Sequence, residues 1–321
     1  MNKRCIGCGA VLQDTDKKAL GYTPKLNNKY CMRCFRLTNY NDLTVSDVAK
    51  DNNKIIDIVN KSGIYSFFLI DSLTINKEII DIYSKITTKK CILLTKVDLL
   101  PRNINLNNYV NNIKYVYKIK EEIYPLSVKS KLNTNKIVCI MDEKNIKKAY
   151  VLGCTNAGKS TMINMLLNNN TITTSRMPNT TIDFININLE DKIITDTPGF
   201  MVEASPFITN NNYIKKNDYK EPLKPLTYQT KDNTNLIIEE RFALGSFGFN
   251  SVTTYFNNNI VVKKSYKNIT DYTGFNILDN TDIVIKNLGF INIKKKASIK
   301  VANELVPFIE FRPSLVGISY E

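Results

Sequence analysis

Apolar residues along this chain fall into two rhythms. Ile64-Tyr65-Ser66-Phe67-Phe68-Leu69-Ile70 and Lys90-Cys91-Ile92-Leu93-Leu94 are nearly unbroken apolar runs of strand length, the pattern of strands covered on both faces of a parallel sheet. Tyr150-Val151-Leu152 is a shorter run of the same kind. Helical spacing separates them: Val45, Val48, Ala49, Ile55, Ile56 and Val59 give a broken helical repeat, and residues 77–85 and 162–167 give two more helices. An Asn-rich stretch, 103–120, reads as surface loop and helix. Strands alternating with helices predict an α/β domain with a mostly parallel sheet. Beyond residue 210 the rhythm changes. Leu236-Ile237-Ile238, Ile260-Val261-Val262 and 282–291 are strand-like runs punctuated by Gly245, Gly248, Gly274, Gly289 and Pro307, which predicts a β-rich domain. The expected organisation is a small polar segment over 1–45, the α/β domain over 46–210 and the β-rich domain over 211–321.

Chemistry is concentrated where these elements join. Gly153-Cys154-Thr155-Asn156-Ala157-Gly158-Lys159-Ser160, followed by Thr161, lies between a strand-like run and a helix-like one, the context a phosphate-binding loop needs. Gly158 lets the chain wrap so that successive N–H groups and the helix N-terminus face a phosphate. Lys159 supplies a point charge for the β- and γ-phosphates, and Ser160 a hydroxyl ligand for Mg²⁺. About twenty residues on, Pro178-Asn179-Thr180-Thr181-Ile182-Asp183 brings a hydroxyl where a switch segment would complete the Mg²⁺ shell; Thr181 is favoured over Thr180. Strands over 184–189 and 192–195 then deliver Asp196-Thr197-Pro198-Gly199, with Asp196 holding the Mg²⁺ water shell and the Gly199 N–H reaching the γ-phosphate.

A second set of motifs precedes the loop. Thr95-Lys96-Val97-Asp98 follows an apolar run, and a carboxylate there can accept two parallel hydrogen bonds from the N1–H and 2-amino group of guanine. Adenine lacks that donor pair, so Asp98 would specify GTP, with the stem of Lys96 over the ring. Ser127-Val128-Lys129 follows a short strand and resembles the second guanine loop of GTPases, a resemblance that implies a backbone N–H contact to the base oxygen.

Composition changes the picture in three respects. The chain has no His, so imidazole has no role as base, nucleophile or metal ligand. Its net charge of +14 suggests a polyanionic partner, although an Asn-, Ile- and Lys-rich composition accounts for part of that excess. Seven cysteines are distributed unevenly. Cys5, Cys8, Cys31 and Cys34 form two CxxC pairs, the spacing of a tetrathiolate Zn²⁺ site; disulfides, a redox pair or an iron site would use the same residues. With Lys17, Lys18, Lys25, Lys29, Arg33 and Arg36 such a finger is basic, suited either to stapling the fold or to contacting RNA. Cys91, Cys139 and Cys154 stand singly and are expected to be buried. In the β-rich part Lys263, Lys264 and Lys294 to Lys296, with Tyr255, Phe256, Tyr266 and Phe290 nearby, could meet RNA through phosphates and stacking or simply protect strand edges. No apolar run has membrane-spanning length and the N-terminus lacks a signal-peptide core, so a cytoplasmic protein with no membrane or DNA partner is expected. The sequence carries no signal for an oligomeric state.

Phosphate loop, switch Thr and DTPG stand in GTPase order, yet the [Asn/Thr]-Lys-x-Asp motif precedes them. That looks like a circularly permuted GTPase. With the CxxC pairs in front and the 282–291 and Phe311-Arg312-Pro313-Ser314-Leu315 stretches behind, the chain resembles the YqeH family of permuted GTPases over essentially its whole length. The resemblance implies hydrolysis of GTP to GDP and phosphate with Lys159, Thr181 and Gly199 in the catalytic machinery. It also implies a structural Zn²⁺, and a nucleotide-dependent role in assembling the small (30S) ribosomal subunit through 16S rRNA or its proteins. An RNA-binding assembly factor with a GTP switch and negligible turnover is the alternative. The sequence departs from the family pattern at Thr95, usually Asn, at Val128, usually Ala, and at Asn179, usually Gly. Phe200 stands where Ras-type enzymes carry a water-orienting Gln. In GTPases with this apolar replacement, an Asn at the place of Asn156 often accompanies K⁺ beside the β- and γ-phosphates, which implies a K⁺-stimulated enzyme.

Overall fold

A computed structural model of the 321-residue chain describes residues 3, 11–16, 21–28, 31–32, 52–168, 173–176, 184–189, 191–203, 205–209, 212 and 221–320. Three of the four expected zinc ligands, Cys5, Cys8 and Cys34, lie outside the described residues, as do Thr180 and Thr181. The chain divides into two compact units. One comprises Met1–Ile70, Ile82–Thr95 and Glu122–Val202; the other comprises Asp71–Asp81, Lys96–Glu121 and Glu203–Glu321.

The first unit is built on a seven-stranded sheet. Its strands are β1 (Tyr65–Asp71), β2 (Lys90–Thr95), β3 (Ile123–Pro125), β4 (Lys148–Gly153), β5 (Thr173–Arg176), β6 (Ile185–Leu189) and β7 (Lys192–Asp196), in the order β3-β2-β1-β4-β7-β6-β5. The β2–β3, β1–β4 and β4–β7 pairs are parallel, and β6 and β5 continue the sheet antiparallel. Helices α1 (Asn52–Ser62), α4 (Lys136–Glu143) and α5 (Lys159–Asn168) belong to this unit, whereas α2 (Lys77–Ser84) contributes residues to both units and α3 (Leu106–Tyr117) belongs to the second. The unbroken apolar run of β1 follows from cover on both faces. Phe67 and Leu69 join a core with Ile137, Ile140 and Met141 of α4 and Met162 and Leu166 of α5. Phe68, pointing the other way, meets Tyr83 edge-on and stacks on Phe200.

One cysteine expectation fails. Cys91 and Cys154 are buried, but Cys139 is exposed. Ile137, Ile140 and Met141 take the inward stripe of α4, and the 3.6-residue period turns Cys139 outward.

In the second unit, two five-stranded antiparallel sheets share one apolar core. One has the order β12-β9-β10-β16-β13 and the other β17-β14-β15-β11-β8. The first is formed by β9 (Asn235–Ile238), β10 (Phe242–Gly245), β12 (Val262–Ser265), β13 (Tyr272–Ile277) and β16 (Ala297–Ala302). The second is formed by β8 (Leu226–Thr230), β11 (Asn250–Phe256), β14 (Thr281–Ile285), β15 (Gly289–Ile293) and β17 (Ile309–Pro313). Leu236, Ile238, Phe242, Leu244, Ile299 and Val301 of one sheet pack with Val252, Ile283, Ile285, Ile291 and Ile293 of the other. β11 alternates strictly between buried and half-buried, the period of a strand with one covered face. β14 and β15 are buried along their whole length. Their outer face is covered by Tyr255, stacked on Phe290 at 4.5 Å between ring centres, and by Arg312, whose guanidinium lies over the same ring.

That packing corrects the aromatic set expected beside the lysines. Phe256 and Phe290 are buried and Tyr255 is half-buried against Phe290, which leaves Tyr266 as the exposed ring of the four. Phe249 was not anticipated; it is 68 % exposed and shares a shallow recess with Lys295 and Lys296. Lys263 and Lys264 fall inside β12, which begins at Val262, two residues after the start of the apolar run. Among the described residues, no helix is long and apolar enough to cross a membrane.

Candidate nucleotide site

β4 hands the chain to the phosphate loop at Gly153. Its φ is +149°, and a Cβ there would lie 2.7 Å from the Leu69 carbonyl oxygen, because β1 and β4 pair Leu69 with Gly153. Asn156 at φ +65° and Gly158 at φ +92° follow, and α5 begins at Lys159. Left-handed residues interleaved with ordinary ones turn successive N–H groups into one concavity, and the helix N-terminus adds partial positive charge. Gly153→Ala is therefore expected to destabilise the fold by about 1–3 kcal/mol, read as a fall of several degrees in Tm, because the close neighbour is backbone and cannot rotate away.

Within this cradle the Lys159 Nζ donates to the Gly153 carbonyl at 2.7 Å, with the Cys154 carbonyl at 3.4 Å. Burial holds the amine below the usual lysine range, while the charge of Asp196 works in the opposite direction. A desolvated cation satisfied by neutral carbonyls, set in a concavity of N–H groups, fits a polyphosphate. Gly199 is at the same place: a Cβ on it would come 3.1 Å from Lys159 Nζ and 3.2 Å from the Thr155 nitrogen. Asp196 closes β7, half-buried, and the Ser160 and Thr161 side chains are exposed in the first turn of α5.

The residue after the DTPG glycine has a role that its spacing did not disclose. Thr155 N donates to Phe200 O and Phe200 N to Gly153 O, both at 3.1 Å, so the two loops form a short parallel bridge. The Phe200 ring is fully buried and stacks on Phe68 at 5.8 Å. Asn52, the first residue of α1, then clasps the next peptide: its Nδ2 donates to Met201 O at 2.7 Å and its Oδ1 accepts from Met201 N at 2.9 Å. Thr197 donates to Val151 O at 3.0 Å. The only sequence sign of this anchoring was an apolar residue where a polar one is commoner.

On the other side of β1, the Thr95 hydroxyl donates to Ala157 O at 2.8 Å, with Ile70 O at 3.2 Å. The end of β2 is thus fastened to the phosphate loop by a side chain shorter than the usual Asn. Lys96 is left-handed at φ 58°, ψ 28°, and its amine pairs with Asp71 at 2.6 Å. Asp98 sits half-buried in a 3-10 turn, Val97–Leu99, between two buried apolar neighbours. After β3, Leu126 N donates to Leu94 O at 2.7 Å, and the buried Ser127 Oγ accepts from Ser130 N at 3.0 Å. This bond shapes a tight turn in which Val128 is half-buried and Lys129 exposed.

Every described motif thus follows the carboxyl end of a strand: β2, β3, β4 or β7. In an open parallel sheet that edge is where ligands bind. Among the described residues no group of three His, Cys, Asp or Glu stands ready for a metal. Ser160 and Asp196 are the described oxygen donors that would hold Mg²⁺, a hard cation suited to hydroxyl and carboxylate oxygen.

A sequence-family profile described as "50S ribosome-binding GTPase" matches residues 148–240. The chain is also 32 % identical to "Uncharacterized protein YqeH" of Bacillus subtilis (strain 168) over 261 residues, which span 72 % of this chain and 69 % of that protein.

Proposed function

The chain belongs to the YqeH family of GTP-binding proteins, and from that premise we propose that it hydrolyses GTP to GDP and phosphate as a nucleotide-dependent switch in assembly of the small ribosomal subunit. The observation that carries the nucleotide half is the fastening of the guanine-motif strand to the phosphate loop by Thr95, with the Lys159 amine lodged in that loop. Guanine would be read by Asp98 and the phosphates held by residues 154–161; bound Mg²⁺ would neutralise phosphate charge.

Turnover is expected to be slow, because the buried Phe200 ring offers no group to orient a water. That observation also favours the second reading, an RNA-binding factor whose switch turns over negligibly. Asn156, exposed in the loop, is the proposed K⁺ ligand, and K⁺ would supply charge stabilisation. GTP hydrolysis is expected to be about tenfold faster in K⁺ than in Na⁺, a difference of ~1.4 kcal/mol in the barrier, and Asn156→Asp should abolish the difference. Equal rates in the two salts would remove K⁺ from the scheme.

The ribosomal half rests on family membership, on the net charge of +14 and on the exposed Phe249 beside Lys295 and Lys296. A cytoplasmic setting and a Zn²⁺ held by Cys5, Cys8, Cys31 and Cys34 belong to the same proposal. Co-sedimentation with ribosomal subunits in GDP, in a GTP analogue and without nucleotide tests it. Retention on the 30S subunit in one nucleotide state is expected. Equal or no association in all three states contradicts it, and a shift to the 50S peak would favour the partner named in the profile's description.

A further inference from the structure

We infer that Tyr109 and Ser72 are positioning residues for guanine recognition, through which the C-terminal sheets hold the loop that carries Asp98. The inference rests on reading Asp98 as the guanine-specifying carboxylate, and it concerns groups that all lie within the second compact unit.

The loop needs holding. Lys96 has a Cβ yet sits in the left-handed region, which such residues keep only when their surroundings impose it. Two neighbours do so. Asp71 Oδ2 accepts from the Lys96 amine at 2.6 Å while its Oδ1 accepts from Leu73 N at 2.9 Å, and the Ser72 hydroxyl donates to the Lys96 carbonyl at 3.2 Å. Ser72 is held in turn. Its own carbonyl accepts from the hydroxyl of Tyr109, a fully buried side chain on α3, at 2.6 Å.

Helix α3 and the segment after β1 are gripped by the end of the chain. One turn beyond Tyr109, Asn112 donates to Leu315 O at 3.1 Å and Ile318 O at 2.8 Å and accepts from Tyr320 N at 3.2 Å. Arg312 on β17 donates to Ile75 O at 2.8 Å and to the Tyr117 hydroxyl at 2.9 Å. The Arg312 Nε pairs with the buried Asp282 of β14 at 3.3 Å, and Asp282 also accepts from Leu315 N and Asn292. Glu310 accepts from Lys77 N at 2.7 Å. A more direct bond exists as well: Leu223 N donates at 2.9 Å to the carbonyl of Leu99, the residue after Asp98. The Phe311-Arg312-Pro313-Ser314-Leu315 stretch therefore has a physical task here. It clamps the two segments between which the guanine loop is strung.

Tyr109→Phe removes one hydroxyl and leaves the Ser72 carbonyl buried without its donor; Ser72→Ala removes the bond to Lys96 from the other side. Both are tested in the full-length chain by titration with GDP, with inosine diphosphate and with pyrophosphate. Hypoxanthine lacks the 2-amino group and so engages one of the two bonds at Asp98, while pyrophosphate reports on the phosphate loop alone. Each variant is expected to bind GDP about tenfold more weakly, to lose most of the preference for GDP over inosine diphosphate, and to keep pyrophosphate affinity within about twofold of wild type. Parallel weakening of all three ligands, or unchanged GDP binding, overturns the proposal. Should Tyr109→Phe fail to fold, the same three titrations of Ser72→Ala decide the matter alone. A wild-type protein that itself does not prefer GDP over inosine diphosphate overturns the reading of Asp98 and this proposal with it.

Discussion

Lys159→Ala is expected to weaken GDP binding about a thousandfold, to the limit of calorimetric detection. The side chain contributes a full charge inside a concavity of N–H groups, where its partners are the Gly153 and Cys154 carbonyls. Removing one partner of a buried charged contact costs about 2–5 kcal/mol, and about 4 kcal/mol corresponds to three decades in Kd. The fold should survive, because the partners that the amine loses are two neutral carbonyls of the loop; unchanged circular dichroism checks this. Binding should also depend on pH in one direction. Burial lowers the Lys159 pKa in the free protein, and phosphate would raise it, so the proton is lost from the free form first. GDP affinity then falls as pH rises through the lowered pKa of the Lys159 amine, with proton uptake on binding. The alanine variant should show neither effect.

Asp98→Asn carries the second large effect. An ionised carboxylate accepts from both the N1–H and the 2-amino group of guanine, and charge-assisted bonds are about twice as strong as neutral ones. An amide accepts at one atom only and presents a donor to the guanine amino group. GDP affinity should fall about a hundredfold. Xanthine carries an oxygen where guanine carries that amino group, so xanthosine diphosphate should gain on GDP in the same variant. Competition of the two nucleotides against a fluorescent GDP derivative measures the change in preference. An unaltered GDP-to-xanthosine ratio would show that Asp98 does not face the base edge.

Much of this site was legible before the fold was known, for a physical reason. Strands covered on both faces must be apolar throughout, so β1, β2 and β4 announce themselves, and ligand loops sit at the ends of such strands. Motifs whose chemistry is local, such as 153–160 and 196–199, need no tertiary information. Other features depended on contacts between distant residues. Nothing in the spacing indicated that Phe200 would bridge the phosphate loop through its backbone and stack on Phe68 through its ring. The replacement of Asn by Thr95 looked like a departure; the hydroxyl nonetheless reaches Ala157. The grouping of Lys96–Glu121 with the C-terminal strands is carried by bonds such as Asn112 to Leu315, which leave no periodic trace in the chain. Exposure was also poorly legible where strands alternate. A shift of one residue exchanges faces, so Phe256 of β11 went inside, while Phe249, just before β11, is exposed; Phe290 is buried because β15 is covered along its whole length.

Whether the guanine loop at 95–98 and the phosphate loop at 153–160 serve one nucleotide is decided most directly by titration calorimetry of the unmodified chain with GDP and with ADP, each with Mg²⁺. One GDP per chain, with a Kd of about 1 μM and ADP binding about a hundredfold more weakly or worse, is the predicted result. Equal affinity for ADP, or no binding of either nucleotide, would contradict it.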